Sequence, residues 1–402
     1  MKRLAPILLG ILLLIPTGCE KEKKEINENQ IAQENFNEIV KTSNEAKIYK
    51  KENEEYKEVG TINNNIELHL KTTEDKYYII DSLDQEYYIS YKDVEKIDKL
   101  TEKDQRYKKY IPWNENIITK ENTSIYDEDT KLFTFQESKS YPIIIKEYER
   151  YYIDYDNKLV YVKKEDVEKV IDNQNTTEQN AEGIPVLNYH FIYINETNCN
   201  QEICIGEKQF REHLEYIKNN DYFTPTMKEL ELYMDKKLQL PKSVSITSDD
   251  GWLAQNFIDI VEEYGLNATY FIVTSWVNPS DLKTKTVELH SHTHNMHNQG
   301  DCPKGQGGGI QCLSEERIQE DLKKSSELLG GSTVFCYPFY EYNKYSIEQL
   351  KKAGYTMAFA GEKAGGDYVA RPGGNKYEIP RWVMVNYTTM KDIKTYLELG
   401  KT

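Results

Sequence analysis

What this 402-residue chain lacks narrows its function before any motif does. It lacks basic charge: the formal net charge is −16 and the sequence pI is near 5.1. That excludes nucleic-acid binding, which needs a basic patch. It lacks a spanning segment at its start. The apolar run at 7–15, interrupted by Gly10, falls well short of the roughly twenty residues a membrane helix needs. Its six cysteines are too few and too badly spaced for a structural zinc ribbon. No His-Glu-x-x-His occurs, which argues against a metalloprotease or a wall amidase of that type. The glycines at 300–309 follow no strand and lack a nucleotide-binding spacing, so they are no phosphate loop. Histidine is scarce, at seven residues, and none follows His297.

Four of those seven fall together in His290-Ser291-His292-Thr293-His294-Asn295-Met296-His297. About forty residues earlier stands Thr247-Ser248-Asp249-Asp250-Gly251. Carboxylate plus imidazole is a donor set that suits zinc and related divalent ions. The apolar alternation at 243–246 and at 287–289 reads as two strands, each ending on its motif. Strand ends that bring acids to histidines are how an α/β barrel builds a metal site at its C-terminal face. Taken alone, the acids read as a turn and the histidines as a polar loop.

The first residues address the chain outward. Met1-Lys2-Arg3, the short apolar run and Thr17-Gly18-Cys19 form a secretory signal at 1–19. It resembles a bacterial lipoprotein signal, which implies lipidation of Cys19, a membrane anchor and an extracytoplasmic location. In such an oxidising compartment, Cys199 with Cys204 and Cys302 with Cys312 are the local pairs able to staple loops. Cys336 is then left as a buried thiol.

Residues 20–45 and 172–182 are polar, poor in large apolar side chains, and expected to be a disordered tether and a linker. Between them the pattern is β-rich, with period-2 alternation and many of the chain's 32 tyrosines. The region repeats itself. Lys76-Tyr77-Tyr78-Ile79 matches Arg150-Tyr151-Tyr152-Ile153, and Lys92-Asp93-Val94-Glu95-Lys96 matches Glu165-Asp166-Val167-Glu168-Lys169. Two small units are expected, at 46–99 and 120–171. They resemble bacterial Src-homology-3-like barrels, which implies contact with the cell wall; a spacer that lifts the rest of the chain off the membrane is the plainer reading.

From residue 183 strands and helices alternate. Strands are expected at 185–190, 243–246, 268–273, 287–289, 334–339, 356–360 and 381–385. Helices are expected at 208–219, 255–263, 314–329 and 390–399. Seven strands alternating with helices define an α/β fold with a parallel barrel.

Pro185-Val186-Leu187-Asn188-Tyr189-His190, the Asp-Asp-Gly motif, Ser291-His292-Thr293-His294-Asn295-Met296-His297 and Tyr337-Pro338-Phe339 stand in the order seen in polysaccharide deacetylases. The resemblance is to the NodB-homology domain of carbohydrate esterase family 4, over 183–402. Within the family it is closest to the branch that deacetylates poly-N-acetylglucosamine. It implies a distorted (β/α)7 barrel and a hydrolase that removes acetyl groups from an N-acetylated extracellular polysaccharide. The tandem repeats pull instead toward peptidoglycan, and a surface carbohydrate-binding protein without turnover is the non-enzymatic reading.

Carried onto matching positions, the resemblance makes Asp250, His292 and His297 the ligands of a divalent metal. Zn2+ leads, with Co2+, Ni2+ and Fe2+ as alternatives, and His290 or His294 as competing ligands. Asp249 becomes the general base and His190 the general acid. Ser248 stands where the family usually has an aromatic residue. No arginine precedes Tyr337, so Arg381 is the expected partner of Asp249, with Arg371 behind it. Tyr189, Trp252, Tyr337, Pro338 and Phe339 are the expected sugar-contacting residues. His213 is read as lying on the polar side of its helix.

Overall fold

A computed structural model describes residues 39–82, 85–99, 101, 105–173 and 180–401. The signal segment with Cys19, residues 20–38 of the tether and 174–179 of the linker lie outside the described residues.

The β-rich half is one strand pattern used twice. The first copy runs β1 (Ile39–Thr42), β2 (Ala46–Glu52), β3 (Glu55–Ile62), β4 (Glu67–His69), β5 (Thr72–Glu74), β6 (Tyr77–Ser82), β7 (Gln85–Ser90) and β8 (Val94–Ile97). The second runs β9 (Glu115–Thr119), β10 (Thr123–Asp127), β11 (Thr130–Phe135), β12 (Ser140–Pro142), β13 (Ile145–Lys146), β14 (Arg150–Tyr155), β15 (Lys158–Lys163) and β16 (Val167–Asp172). Small sheets β4-β1-β8 and β12-β9-β16 correspond strand for strand. The large sheet reads β13-β14-β15-β10-β11-β3-β2-β7-β6-β5, the two copies meeting edge to edge where β11 pairs antiparallel with β3. Even single bonds recur. Thr42 Oγ1 accepts from Ile66 N at 2.8 Å, and Thr119 Oγ1 accepts from Lys139 N at 2.8 Å. Alternation supplies one shared core, with Ile48, Ile62, Ile89, Ile125, Phe133 and Val160 all buried; each such side chain contributes roughly 1.5–3 kcal/mol.

Two boundaries are corrected by these pairings. Residues 39–42, expected in the disordered tether, are β1 and pair with both β4 and β8. At the other end Asp172 closes β16, and Ala181 N bonds to Leu240 O at 2.8 Å, so the linker is docked where it is described.

The second half is the barrel. Its strands are β17 (Val186–Tyr189), β20 (Ser245–Ser248), β21 (Ala268–Ile272), β22 (Val287–Ser291), β23 (Val334–Cys336), β24 (Met357–Phe359) and β25 (Trp382–Val383). A side ribbon of β18 (Phe191–Tyr193) and β19 (Cys204–Gly206) follows β17. All seven barrel strands pair in parallel in the order β24-β23-β22-β21-β20-β17-β25. The ring closes through the chain entering β25. Ile379 bridges Phe359 in parallel on one side, while Trp382 pairs with Leu187 on the other. That is the expected (β/α)7 barrel, distorted because its seventh strand is short and split.

Helices α1 (Glu207–Asn219), α2 (Met227–Met234), α3 (Ala254–Glu263), α4 (Glu315–Leu328), α5 (Lys344–Lys352) and α6 (Met390–Glu398) surround it. Leu187, Tyr189, Ile246, Tyr270 and Ile272 face the layer packed with Phe210, Phe257 and Val261 of the helices. Val186, Phe271, Val334, Met357 and Phe359 share the other cluster, inside the ring. Strand parity therefore sends Asn188 and His190, Thr247 and Asp249, and His290 and His292 to the interior. Two disulfides, Cys199–Cys204 and Cys302–Cys312, close loops near that ring's mouth, and Cys336 is free and buried.

The halves are joined by a built interface. Arg106 donates to Glu229 of α2 at 2.7 Å, to Thr224 O and to Asn267. Ile144 and Ile145 pack with Phe223, Met227 and Leu230. These contacts sit beside the start of β20, the end of the barrel away from the Asp-Asp-Gly motif.

Candidate metal centre at the barrel mouth

Asp249 and Asp250 leave β20 in different directions because the backbone turns between them. Asp250 has φ 80° and Gly251 φ 130°, and a Cβ at Gly251 would lie 3.0 Å from Val277 Cγ2. A non-glycine residue in that region costs of order 1–3 kcal/mol. Val273 N holds the turn by donating to Asp250 O at 2.9 Å.

The histidine strand ends in a second such turn, at Thr293 with φ 79°. Asp321 of α4 receives His294 N at 2.7 Å and Asn295 N at 2.6 Å, which locks the loop after it. Within this frame His292 Nε2 lies 3.6 Å, and His297 Nε2 3.3 Å, from Asp250 Oδ1. Ligands at about 2.0–2.2 Å in a tetrahedral shell stand roughly 3.3–3.5 Å apart, so the three side chains fit a divalent ion. His292 Nδ1 lies 2.8 Å from Cys336 O. A carbonyl only accepts, so Nδ1 carries the proton and Nε2 is left bare for a ligand's role. Burial pushes His297 down to about 4, leaving it a neutral imidazole near pH 7.

The competing ligands go elsewhere. His290 lies one inward position below His292, about 6–7 Å down the strand, and bonds Ser332 Oγ at 2.8 Å. Past the turn, His294 bonds Thr274 Oγ1 at 2.9 Å.

Asp249 faces the interior and is almost fully buried. Arg381, with no exposed surface, grips it twice, Nη1 to Oδ1 at 2.7 Å and Nη2 to Oδ2 at 2.8 Å. The guanidinium itself lies against the rings of Phe271 and Tyr340. Burial pushes the Asp249 carboxyl up, but Arg381 outweighs it and holds the group well below the usual carboxylate range. Arg371 pairs instead with Asp367, away from the site. His190, just beyond β17, has Nε2 at 3.9 Å from Asp249 Oδ2. Burial lowers its pKa, and Asp249 and Asp250 pull it partly back. Ser248 points off the site and donates to His190 O at 3.1 Å.

The expected sugar contacts divide. Trp252 is 54 % exposed and stacks on Trp276 at 4.9 Å, which in turn touches the His297 ring at 5.0 Å. Phe339 packs on His297 at 4.4 Å. Tyr189, Tyr337 and Pro338 are buried. Tyr189 faces the helices and bonds His213 Nδ1 at 3.2 Å, and Tyr337 donates to Tyr377 O at 3.1 Å. His213 also departs from its expected place: it is buried, not on the polar face. Residues 210, 213, 214 and 217 make one helical stripe, so the spacing already held that outcome.

Three site residues went unnoticed in the sequence. Asn188 Nδ2 donates to Asp249 Oδ2 at 3.1 Å, and its Oδ1 accepts from Arg381 at 3.0 Å. Cys336 Sγ lies 3.6 Å from Asp249 Oδ2 and 2.9 Å from Arg381 Nη2. The hydroxyl of Tyr340 stands 3.0 Å from Asn188 Nδ2 and 3.3 Å from His190 Nε2. Parity with His190 marks Asn188 as inward; nothing local marks Tyr340, which arrives on an irregular turn.

A family model described as polysaccharide deacetylase matches residues 236–358, the stretch carrying Asp249, Asp250, His292 and His297. Over that stretch the barrel is similar to polysaccharide deacetylases. Among curated sequences, the chain is 26 % identical over 193 residues to YxkH of Bacillus subtilis, named a putative polysaccharide deacetylase. The match spans 44 % of this chain and 64 % of that protein. It is 24 % identical over 234 residues to the poly-β-1,6-N-acetyl-D-glucosamine N-deacetylase of Staphylococcus epidermidis, spanning 50 % of this chain and 78 % of that one. Among solved structures, IcaB from Ammonifex degensii aligns over 56 % of this chain and all of its own, at 19 % identity and TM-score 0.44.

Proposed function

We propose that this protein is a metal-dependent hydrolase that removes N-acetyl groups from N-acetylglucosamine units of an extracellular polysaccharide of the poly-N-acetylglucosamine kind. One observation carries the reading: two adjacent carboxylates with divided surroundings. Asp250 meets two imidazoles at ligand spacing, while Asp249 meets a guanidinium and an amide. A divalent ion, zinc by its preference for this donor set, supplies Lewis acidity toward water and the acetyl carbonyl.

The chain's own groups do the rest. Asp249, kept ionised and aimed by Arg381, takes the proton of the attacking water. His190 gives a proton to the leaving amine, so its charged form is the active one. Activity then falls as pH rises through the pKa of His190, which burial sets below the ordinary imidazole value. Trp252 and Phe339 offer ring faces to sugars beside the ion.

The basic start, short apolar run and Cys19, with two disulfides downstream, support a lipid-anchored protein facing outward. The duplicated β-rich half, of Src-homology-3-like pattern, serves as the contact with the wall. The test is release of acetate and free amine from β-1,6-linked N-acetylglucosamine oligomers, with peptidoglycan in parallel, before and after chelation. Turnover on the oligomers that a chelator removes supports the reading. Turnover on peptidoglycan alone shifts the substrate, and none on either with metal supplied defeats it.

A further inference from the structure

We infer that Tyr340 is a positioning residue for His190, the hydrogen-bond partner that lets this buried imidazole carry its catalytic proton. The inference rests on the reading of His190 as general acid.

The bond pattern fixes the tyrosine's place. Arg381 Nη1 and Thr247 Oγ1 both donate to Asn188 Oδ1, at 3.0 and 3.2 Å, which sets the amide's orientation. Asn188 Nδ2 must then point to Asp249 Oδ2 and to the Tyr340 hydroxyl. His190 Nε2 has that hydroxyl at 3.3 Å and Asp249 Oδ2 only at 3.9 Å. His190 Nδ1 is buried without a partner among the described residues. Among the described residues Tyr340 is therefore the one group in hydrogen-bond reach of either ring nitrogen. A phenol both donates and accepts, so it stays bonded to the ring in either state, and the bond from the imidazolium is the stronger because its donor is charged.

The backbone is bent to deliver it. Phe339 and Tyr340 have φ 56° and 61° in succession, an uncommon conformation for bulky side chains. The same turn lays Phe339 on ligand His297 and Tyr340 beside His190. Gly361 leaves the necessary room, since a Cβ there would come within 3.2 Å of Tyr340 Cβ. The charged groups facing His190 are Asp249 and Asp250 from β20, His292 from β22 and Arg381 before β25.

Tyr340→Phe keeps the ring and removes only the hydroxyl. It should leave bound metal and KM unchanged. The alkaline limb of the pH dependence of kcat/KM should move down by about one unit, as the imidazolium loses its acceptor. That is roughly a tenfold loss of rate above the limb. Gly361→Ala, which displaces Tyr340 without removing it, should move the limb the same way and keeps the test alive if the phenylalanine variant fails to fold. A limb that stays in place in Tyr340→Phe but vanishes in His190→Ala overturns the inference and leaves the acid intact. A limb that survives His190→Ala overturns the acid reading beneath it.

Discussion

Among the described residues before 174, the buried polar or charged side chains are Thr42, Thr119 and Thr123, all turn-closing hydroxyls. The barrel buries Asp249, Asp250, Asp321, Arg381 and three histidines. Ion pairs in the β-rich half lie at the surface, as Lys47 with Glu58 or Lys71 with Glu86, where they contribute about 0–1 kcal/mol. Both halves fold on apolar alternation, yet only one pays desolvation to keep charge inside. A duplicated scaffold needs no such groups. Most of that buried charge gathers at one end of the ring, around Asp249, Asp250 and Arg381, while the buried Glu229 at the other end belongs to the seam with the β-rich half.

The sharpest way to break this contrast is at Asp249. Asp249→Asn keeps the side chain's shape and removes the base, so kcat should fall by roughly 10²–10⁴-fold with metal retained. A variant that loses its metal as well would make Asp249 a ligand and end the division of labour between the two acids.

Arg381→Leu comes next. It strands a buried carboxylate, which costs about 3–5 kcal/mol when one partner of a buried pair is removed; urea denaturation at pH 7 reads it. Asp249 has a depressed folded pKa, so the pair's contribution is fully present above the unfolded value near 4. It is lost only as pH falls through the folded one. The wild-type–variant gap should therefore persist unchanged from pH 7 to about 5. The same substitution class at Lys47 should change stability within the small range of a surface pair.

Histidine burial sharpens the comparison by pH. His213 and His290 are both pushed down to about 4 by burial. The unfolded chain takes up their protons from about pH 6.5, so the folded barrel should lose stability between pH 6.5 and 4. Melting followed by tryptophan fluorescence would report it, three of the four tryptophans being in the barrel. A β-rich half melting in step would show the halves to be one cooperative unit.

The smallest effect is expected at the seam. Arg106→Ala leaves Glu229 short of its partner, at about 1–3 kcal/mol, and should leave turnover on short oligomers unchanged because the seam lies at the far end of the barrel.

The seven strands and the order of the motifs were legible because parallel barrel strands are short apolar runs ending on polar residues. Helices α2 and α5 were not. Met227–Met234 is buried on nearly every side, and Lys344–Lys352 buries only Ser346, Gln349 and Leu350, so neither shows a stripe. Asp249, Asp250, His292 and His297 were legible as a set, because turns after a strand fix which side chains converge. Tyr189 misled for want of parity: its neighbours Asn188 and His190 look into the ring, so it must look out. Tyr340 lay beyond any local rule, since a left-handed pair of aromatic residues is not foretold by composition.

The central claim is a three-ligand centre of Asp250, His292 and His297, with the other two clustered histidines outside it. It is tested most directly by metal content after equilibrium dialysis against Zn2+, comparing His292→Ala and His297→Ala with His290→Ala and His294→Ala. The first two should lose the stoichiometric ion while remaining folded, and the second two should keep it. Stoichiometric zinc in His297→Ala together with its loss in His294→Ala would contradict the account.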